Sequence, residues 1–156
     1  MASPEGKNVT IVPVRAEGEL LQALAIREVV FIEEQHVPAG IERDDEDARA
    51  YHVLALEGGH AIGTGRLVML AEPPSGENGR WAEIGRMAVL QAYRRFGIGT
   101  KLLAELEAQA RRNEAVGIIL RAQLAALEFY RRHGYQPIGA VFHESGMPHL
   151  EMHKKL

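Results

Sequence analysis

Cysteine is absent from all 156 residues, which removes disulfides, zinc-thiolate sites and a cysteine nucleophile together. Long apolar runs are missing too. No window could span a bilayer, and the opening Met1-Ala-Ser-Pro-Glu-Gly-Lys7 lacks the apolar core of a signal segment. A cytoplasmic location is therefore the expectation, with residues 1–7 a flexible N-terminus. A positive charge excess is also lacking. The net charge of −3 and pI near 6.2 give no general attraction to nucleic acid or to an anionic membrane, so neither is an expected partner and any basic function must be local. The seven histidines show no metal-ligand spacing, and no metal is expected. The sequence contains neither an internal repeat nor a low-complexity tract.

What is present fits one domain over 1–156: 46% hydrophobic residues and 25% charged ones support a sizeable core. Asn8 to Val14 reads as a strand. A helix follows from about Glu17, with Leu20, Leu24, Arg27 and Phe31 at helical spacing, which sets Arg27 on the apolar face. His36 to Asp47, with Pro38, Gly40 and the acidic run Glu42-Arg-Asp-Asp-Glu-Asp47, reads as a loop or short irregular helix. Tyr51 to Leu56 and Ala61 to Leu70 are strands joined at Gly58-Gly59, a hairpin signal. A polar loop over 72–79 leads to a strand from Trp81 to Leu90. Next come an amphipathic helix from Ile98 with Leu102, Leu103, Leu106 and Ala110 on one stripe, a strand over 116–120 and a helix over 124–132 ending at Gly134. Two short strands near 136–142 and 149–153 close the chain. The order β-α-β-β-β-α-β-α-β-β predicts an α/β domain, a mixed sheet with helices on both faces and the strand before Gly97 central.

The chemistry concentrates at Gln91-Ala-Tyr-Arg-Arg-Phe-Gly-Ile-Gly-Thr-Lys101. A helix starting there offers unpaired N–H groups and a partial positive charge to an anion, and glycine allows close approach. A P-loop requires Gly-Lys-Ser/Thr, whereas this order is Gly99-Thr100-Lys101. A dinucleotide fingerprint requires a third glycine where Leu102 stands. Arg94-Arg-Phe-Gly97-Ile-Gly99 instead resembles the pyrophosphate loop of the GNAT acetyltransferases. The segment Gln123-Leu-Ala-Ala-Leu-Glu-Phe129-Tyr130, continuing to Gly134-Tyr135, is similar to that family's Asn-x-x-Ala-x-x-Phe-Tyr-x-x-x-Gly-Phe, with Gln123 and Tyr135 as departures. Arg27-Glu-Val-Val-Phe31-Ile-Glu-Glu34-Gln35, the acidic run, His52, Ile84-Gly-Arg86-Met-Ala-Val89 and the tail Glu144 to Met152 look like the ElaA/YjcF-like branch.

The resemblance implies a GNAT fold, with a mostly antiparallel six- to seven-stranded sheet splayed at its centre. It implies acetyl-CoA as cosubstrate and a primary amine as acceptor, whether small molecule, polyamine or peptidyl amine. Met87, Ala88 and Val89 would bind the pantetheine arm through main chain. The pyrophosphate would sit on the N–H groups of Arg95, Phe96, Gly97, Ile98, Gly99 and Thr100, with Arg94 and Arg95 adding charge, while Gln123, Phe129 and Tyr130 complete the cofactor site. Tyr130 is the expected acid for the thiolate. Glu83 and Glu34 compete as the base. Arg27, Phe31, Glu34, His52, Arg86 and His149 are the expected acceptor pocket, although Arg27 has a structural alternative as a buried partner of Glu34 or Asp44. The acidic run could gather a cationic acceptor or be an ordinary solvated cluster. A non-catalytic acyl-CoA-binding module and a longer acyl chain are the other readings, and a homodimer is plausible by analogy.

Overall fold

The computed structural model describes residues 8–156; the expected flexible segment 1–7 lies outside the described residues. Strands β1 (Val9–Pro13), β2 (Tyr51–Glu57), β3 (His60–Met69), β4 (Trp81–Val89), β5 (Gly117–Gln123), β6 (Gln136–Glu144) and β7 (Met147–Lys155) form one sheet in the order β1-β2-β3-β4-β5-β7-β6. β4, which feeds the glycine turn, is the central strand. Every neighbouring pair is antiparallel except β4 and β5. Gly58 and Gly59, with φ of 56° and 83°, make the tight turn between β2 and β3 that left-handed residues favour.

Helices cover both faces. α1 (Glu17–Arg27) packs on β2, β3 and β4, and α3 (Ile98–Arg112) on β1 to β4 from the other side. The α3 side holds the larger core, in which Leu102, Leu103, Leu106 and Ala110 meet Val53, Ile62, Ile84 and Ile118; Ala23, Ile26, Val30 and Leu54 make the smaller one under α1. Two short helices, α2 (Ala39–Glu42) and α4 (Leu127–Arg132), flank single turns of tighter helix at 45–48 and 124–126. Tyr135, next to the aromatic pair of α4, is a core residue. Its hydroxyl donates to Glu107 at 2.7 Å, and Lys154 reaches the same carboxylate.

Three departures from regular geometry create the cleft. β4 and β5 pair only from Trp81 to Glu83 against Gly117 to Ile119. β4 then follows β3 while β5 follows β7, so the sheet opens between them. Secondly, Gly65 on β3 faces two residues of β4, Arg86 and Met87, and Arg86 takes φ of 52° at this bulge. A Cβ on Gly65 would lie 2.8 Å from Leu106 and 2.9 Å from the Met87 sulfur, so glycine lets these two side chains pack over the bulge without shifting. Thirdly, the helix begun by α1 continues over Glu28–Glu34 as a π-helical segment, seen in Gln35 N–H donating to the Val30 carbonyl. That wider winding rotates later side chains off the face that regular helical spacing assigns them.

The short parallel contact is pinned by the Trp81 indole lying against Gly117, where a Cβ would come within 2.5 Å of the ring. Gly117→Ala is expected to destabilise the protein by about 1–3 kcal/mol through overpacking. A lower urea midpoint with unchanged slope is the expected result, and an unchanged midpoint would contradict the close approach.

Candidate active site

The opened sheet holds a cleft of about 650 Å³ lined by Gly85 to Val89 of β4 and Leu120 to Gln123 of β5. Phe31 of the π segment, Gln35 just after it, Tyr130 of α4 and His149 of β7 also line it. The backbone supplies the first chemistry. Leu90 N–H donates to the Ile62 carbonyl of β3, so strand alternation turns the N–H and C=O of Val89 the other way, into the opening. Arg94 Nε donates to the Val89 carbonyl at 2.8 Å, which leaves the Val89 N–H.

Beside this lies the start of α3. Gly97 has φ of 77° and open space where a Cβ would be, and no side chain caps it. The first-turn N–H groups of α3 therefore point outward without protein partners among the described residues, at the positive end of a 15-residue helix. Gly99 is short for another reason, since a Cβ there would meet the Phe129 ring at 3.3 Å. Arg95, with φ of 71°, and Phe96 are exposed. These residues fit an anion held by main chain.

Tyr130 sits in an apolar part of the wall, edge-on to Phe129 and Tyr135. Its hydroxyl has no protein hydrogen-bond partner among the described residues, and burial pushes its pKa up to about 12. Gln123 Nε2 donates to Gln35 Oε1 at 2.9 Å, linking β5 to the end of the π segment across the cleft. His149 is almost wholly buried and stacks on Phe142. Its Nδ1 lies 2.8 Å from the Met147 carbonyl. A carbonyl only accepts, so Nδ1 carries a proton, and in the neutral ring the lone pair is on Nε2.

The expected acceptor residues divide. Phe31, Arg86 and His149 line the cleft, whereas Arg27, Glu34 and His52 do not. The π winding turns Glu34 off the face of Arg27, and Arg27 enters an ionic cluster instead. There it bonds both oxygens of Glu42 and both of Asp47, not Glu34 or Asp44. Burial opposes its charge, but Glu42 and Asp47 outweigh that and raise its pKa. His52 lies behind it, Nε2 on the Asp47 carbonyl, and burial lowers its pKa. Glu42 and Asp47 of the acidic run are thus shielded and held by arginine, whereas Asp44 and Asp45 are exposed. Arg66 holds Asp44 through both oxygens and also reaches Asp47. Burial works against the Asp47 charge, yet its bonds from Arg27 and Arg66 hold it well below the usual carboxylate range.

Both candidate bases are also paired. Glu34 makes a two-pronged pair with Arg94 at 2.7 and 2.9 Å, so Arg94 faces inward. Glu83 accepts from Arg121 Nε and Nη2 through one oxygen. Sequence reasoning missed Gln35, Arg66 and Arg121. Arg121 left a trace, as the single charge in the strand Gly-Ile-Ile-Leu-Arg-Ala-Gln.

The acetyltransferase (GNAT) family model matches this chain over residues 19–135. The chain belongs to the GNAT family. Its GNAT relatives include YjcF of Bacillus subtilis, an uncharacterised N-acetyltransferase, 35% identical over 139 residues that span 88% of this chain and 94% of YjcF. ElaA of Escherichia coli is 27% identical over 88% of each chain. The crystal structure of ElaA superposes with a TM-score of 0.77 at 25% identity, covering 94% of this chain and 99% of that one. An acyl-CoA N-acyltransferase from Pseudomonas aeruginosa gives 0.78 at 26% identity over 94% and 99%. The seven-stranded sheet with a splayed centre is the GNAT fold. Acyl-CoA-dependent N-acyl transfer is the activity class of this family. Among the described residues no helix is long and apolar enough to cross a membrane.

Arg27→Met would leave Glu42 buried without its partner and Asp47 with Arg66 alone, and a loss of about 3–5 kcal/mol at pH 7 is expected. Asp47 is depressed in the folded state, so its contribution is present above the unfolded value of about 3.9 and is lost as pH falls through the folded value. The gap between wild type and variant should hold from pH 7 to about pH 4 and narrow below it in urea titrations. A gap that is small at pH 7, or that persists in acid, would contradict the buried pairing.

Proposed function

We propose that the protein is an N-acetyltransferase that passes the acetyl group of acetyl-CoA directly to a primary amine bound between β4 and β5. The observation that carries this reading is the Val89 N–H directed into the sheet opening beside the uncapped start of α3. One supports a thioester carbonyl and the other a pyrophosphate. Met87, Ala88 and Val89 would hold the pantetheine arm as an added strand does. The N–H groups from Arg95 to Thr100 would hold phosphate, with Arg95 as the exposed cation, while Arg94 stays on Glu34 and the Val89 carbonyl. Gln123 and Phe129 support the site through Gln35 and Gly99.

In the transfer the amine nitrogen bonds the acetyl carbon, the developing oxyanion leans on the Val89 N–H, and the carbon–sulfur bond then breaks. Tyr130 gives its proton to the departing thiolate, since the raised phenol pKa keeps it protonated at neutral pH. For the proton leaving the amine, Glu34 and Glu83 are both engaged by arginine. We assign its acceptance to His149, whose Nε2 lone pair is fixed by the Nδ1 hydrogen bond to Met147.

The pairing of both glutamates also favours a second reading, an acyl-CoA-binding module without turnover. Calorimetric titration with acetyl-CoA and a thiol-release assay over an amine panel decide between them. Tyr130→Phe should keep acetyl-CoA affinity within about twofold and lower kcat by roughly 100-fold or more, the scale of a lost general acid. Equal turnover in the variant would remove Tyr130 from the mechanism, and tight binding with no turnover of any amine by wild type would favour the module.

A further inference from the structure

Five arginines line the cleft, Arg49, Arg66, Arg86, Arg94 and Arg121, and they are not equivalent. Arg49 pairs with Glu46, Arg94 with both oxygens of Glu34, and Arg121 with Glu83 and Glu144. Arg66 holds both oxygens of Asp44 at 2.7 and 2.8 Å. Behind them Arg27 takes up Glu42 and Asp47. Arg86 has no carboxylate of its own. Its Nη2 reaches Asp44 Oδ2 at 3.1 Å, the oxygen that Arg66 already bonds, and its Nε donates to the Glu42 backbone carbonyl at 3.0 Å. Among the described residues Nη1 has no hydrogen-bond partner.

The side chain is only 24% exposed, so water compensates this charge poorly. Burial, with repulsion from Arg66 and Arg27, lowers the Arg86 pKa, whereas the arginines with full partners on either side of it, Arg27 and Arg66, are raised. The residue also occupies φ of 52° at the β4 bulge, a backbone state that glycine adopts without strain. Its guanidinium is oriented in advance by two hydrogen bonds and directly precedes Met87, Ala88 and Val89 in the strand. A fixed, shielded and under-compensated guanidinium with a spare donor edge is a receptor for a carboxylate.

Resting on the acetyltransferase reading above, we infer that Arg86 binds a carboxylate of the acceptor, and that the acceptor is a free amino acid. A polyamine has the opposite requirement, unpaired carboxylates, and the run from Glu42 to Asp47 spends Glu42, Asp44 and Asp47 on arginines. An amino acid offers a carboxylate to Arg86 and an amine to the thioester in one small molecule. Arg86 is thereby a specificity-determining residue.

The test uses wild-type protein and acetyl-CoA, with thiol release measured for the twenty amino acids, their carboxamides, their decarboxylated amines, putrescine and spermidine. At least one amino acid should exceed both its carboxamide and its decarboxylated amine by ~10- to 100-fold in kcat/KM, the scale of one charge-assisted hydrogen bond. In Arg86→Gln that preference should fall to about threefold or less, and Arg86→Lys should restore part of it; acetyl-CoA titration of each variant checks that it is folded. The comparison of acid with amide needs no variant. Equal turnover of acids and amides, preference for a polyamine, discrimination that survives in Arg86→Gln, or acetyl-CoA binding with no amino acid accepted would each overturn the inference. Failure of wild type to bind acetyl-CoA is a different result, which ends the acetyltransferase reading itself.

Discussion

Trp81 to Glu83 against Gly117 to Ile119 is the whole of the parallel contact in this sheet, and the site depends on its stopping there. Had the pairing continued, the outward N–H and C=O groups of β4 would be consumed by β5, and no cleft would exist between them. The strands part because each is claimed by its other neighbour. β3 holds β4 as far as Val89, and β7 holds β5 as far as Gln123. The bulge at Arg86 and Met87 adds twist in the same stretch. Unpaired backbone in a sheet interior is costly unless something satisfies it. Arg94 does so for one carbonyl, and a ligand strand suits the remainder.

A second constraint is electrostatic. Arginines and carboxylates wall the cleft in nearly matched number, most of them tied in pairs, so the site is polar without being strongly charged. The pairs also position structure. Glu34 with Arg94 joins the π segment to the turn before α3, and Arg27 with Glu42 and Asp47 fastens residues 42–47 to the end of α1. Charge here sets geometry, and the few groups left over from pairing carry the recognition.

Much of the fold was legible in the sequence because its signals are local. Alternation over β2 and β3, the Gly58-Gly59 turn and the stripe of Leu102, Leu103, Leu106 and Ala110 each lie within a short window. The glycine turn was legible for the same reason. What stayed hidden is long-range or irregular. Arg27 meets Glu42 15 residues away, Glu34 meets Arg94 60 away, and Gln35 meets Gln123 88 away. No periodicity reports such partners. The π segment has no compositional mark either, and once it widened the helix, a face counted at regular spacing put Arg27 and Glu34 together when the chain sends them apart.

The closed set of Arg27, Glu42 and Asp47 has a consequence for how this sequence can diverge. Each member depends on the others, since Arg27 and Glu42 are sealed from water and Asp47 is largely shielded. Single substitutions therefore meet a barrier in all directions, and drift at these positions requires joint exchange, such as an apolar residue at 27 arriving with neutral ones at 42 and 47. Three positions spread over 21 residues of sequence behave as one heritable character.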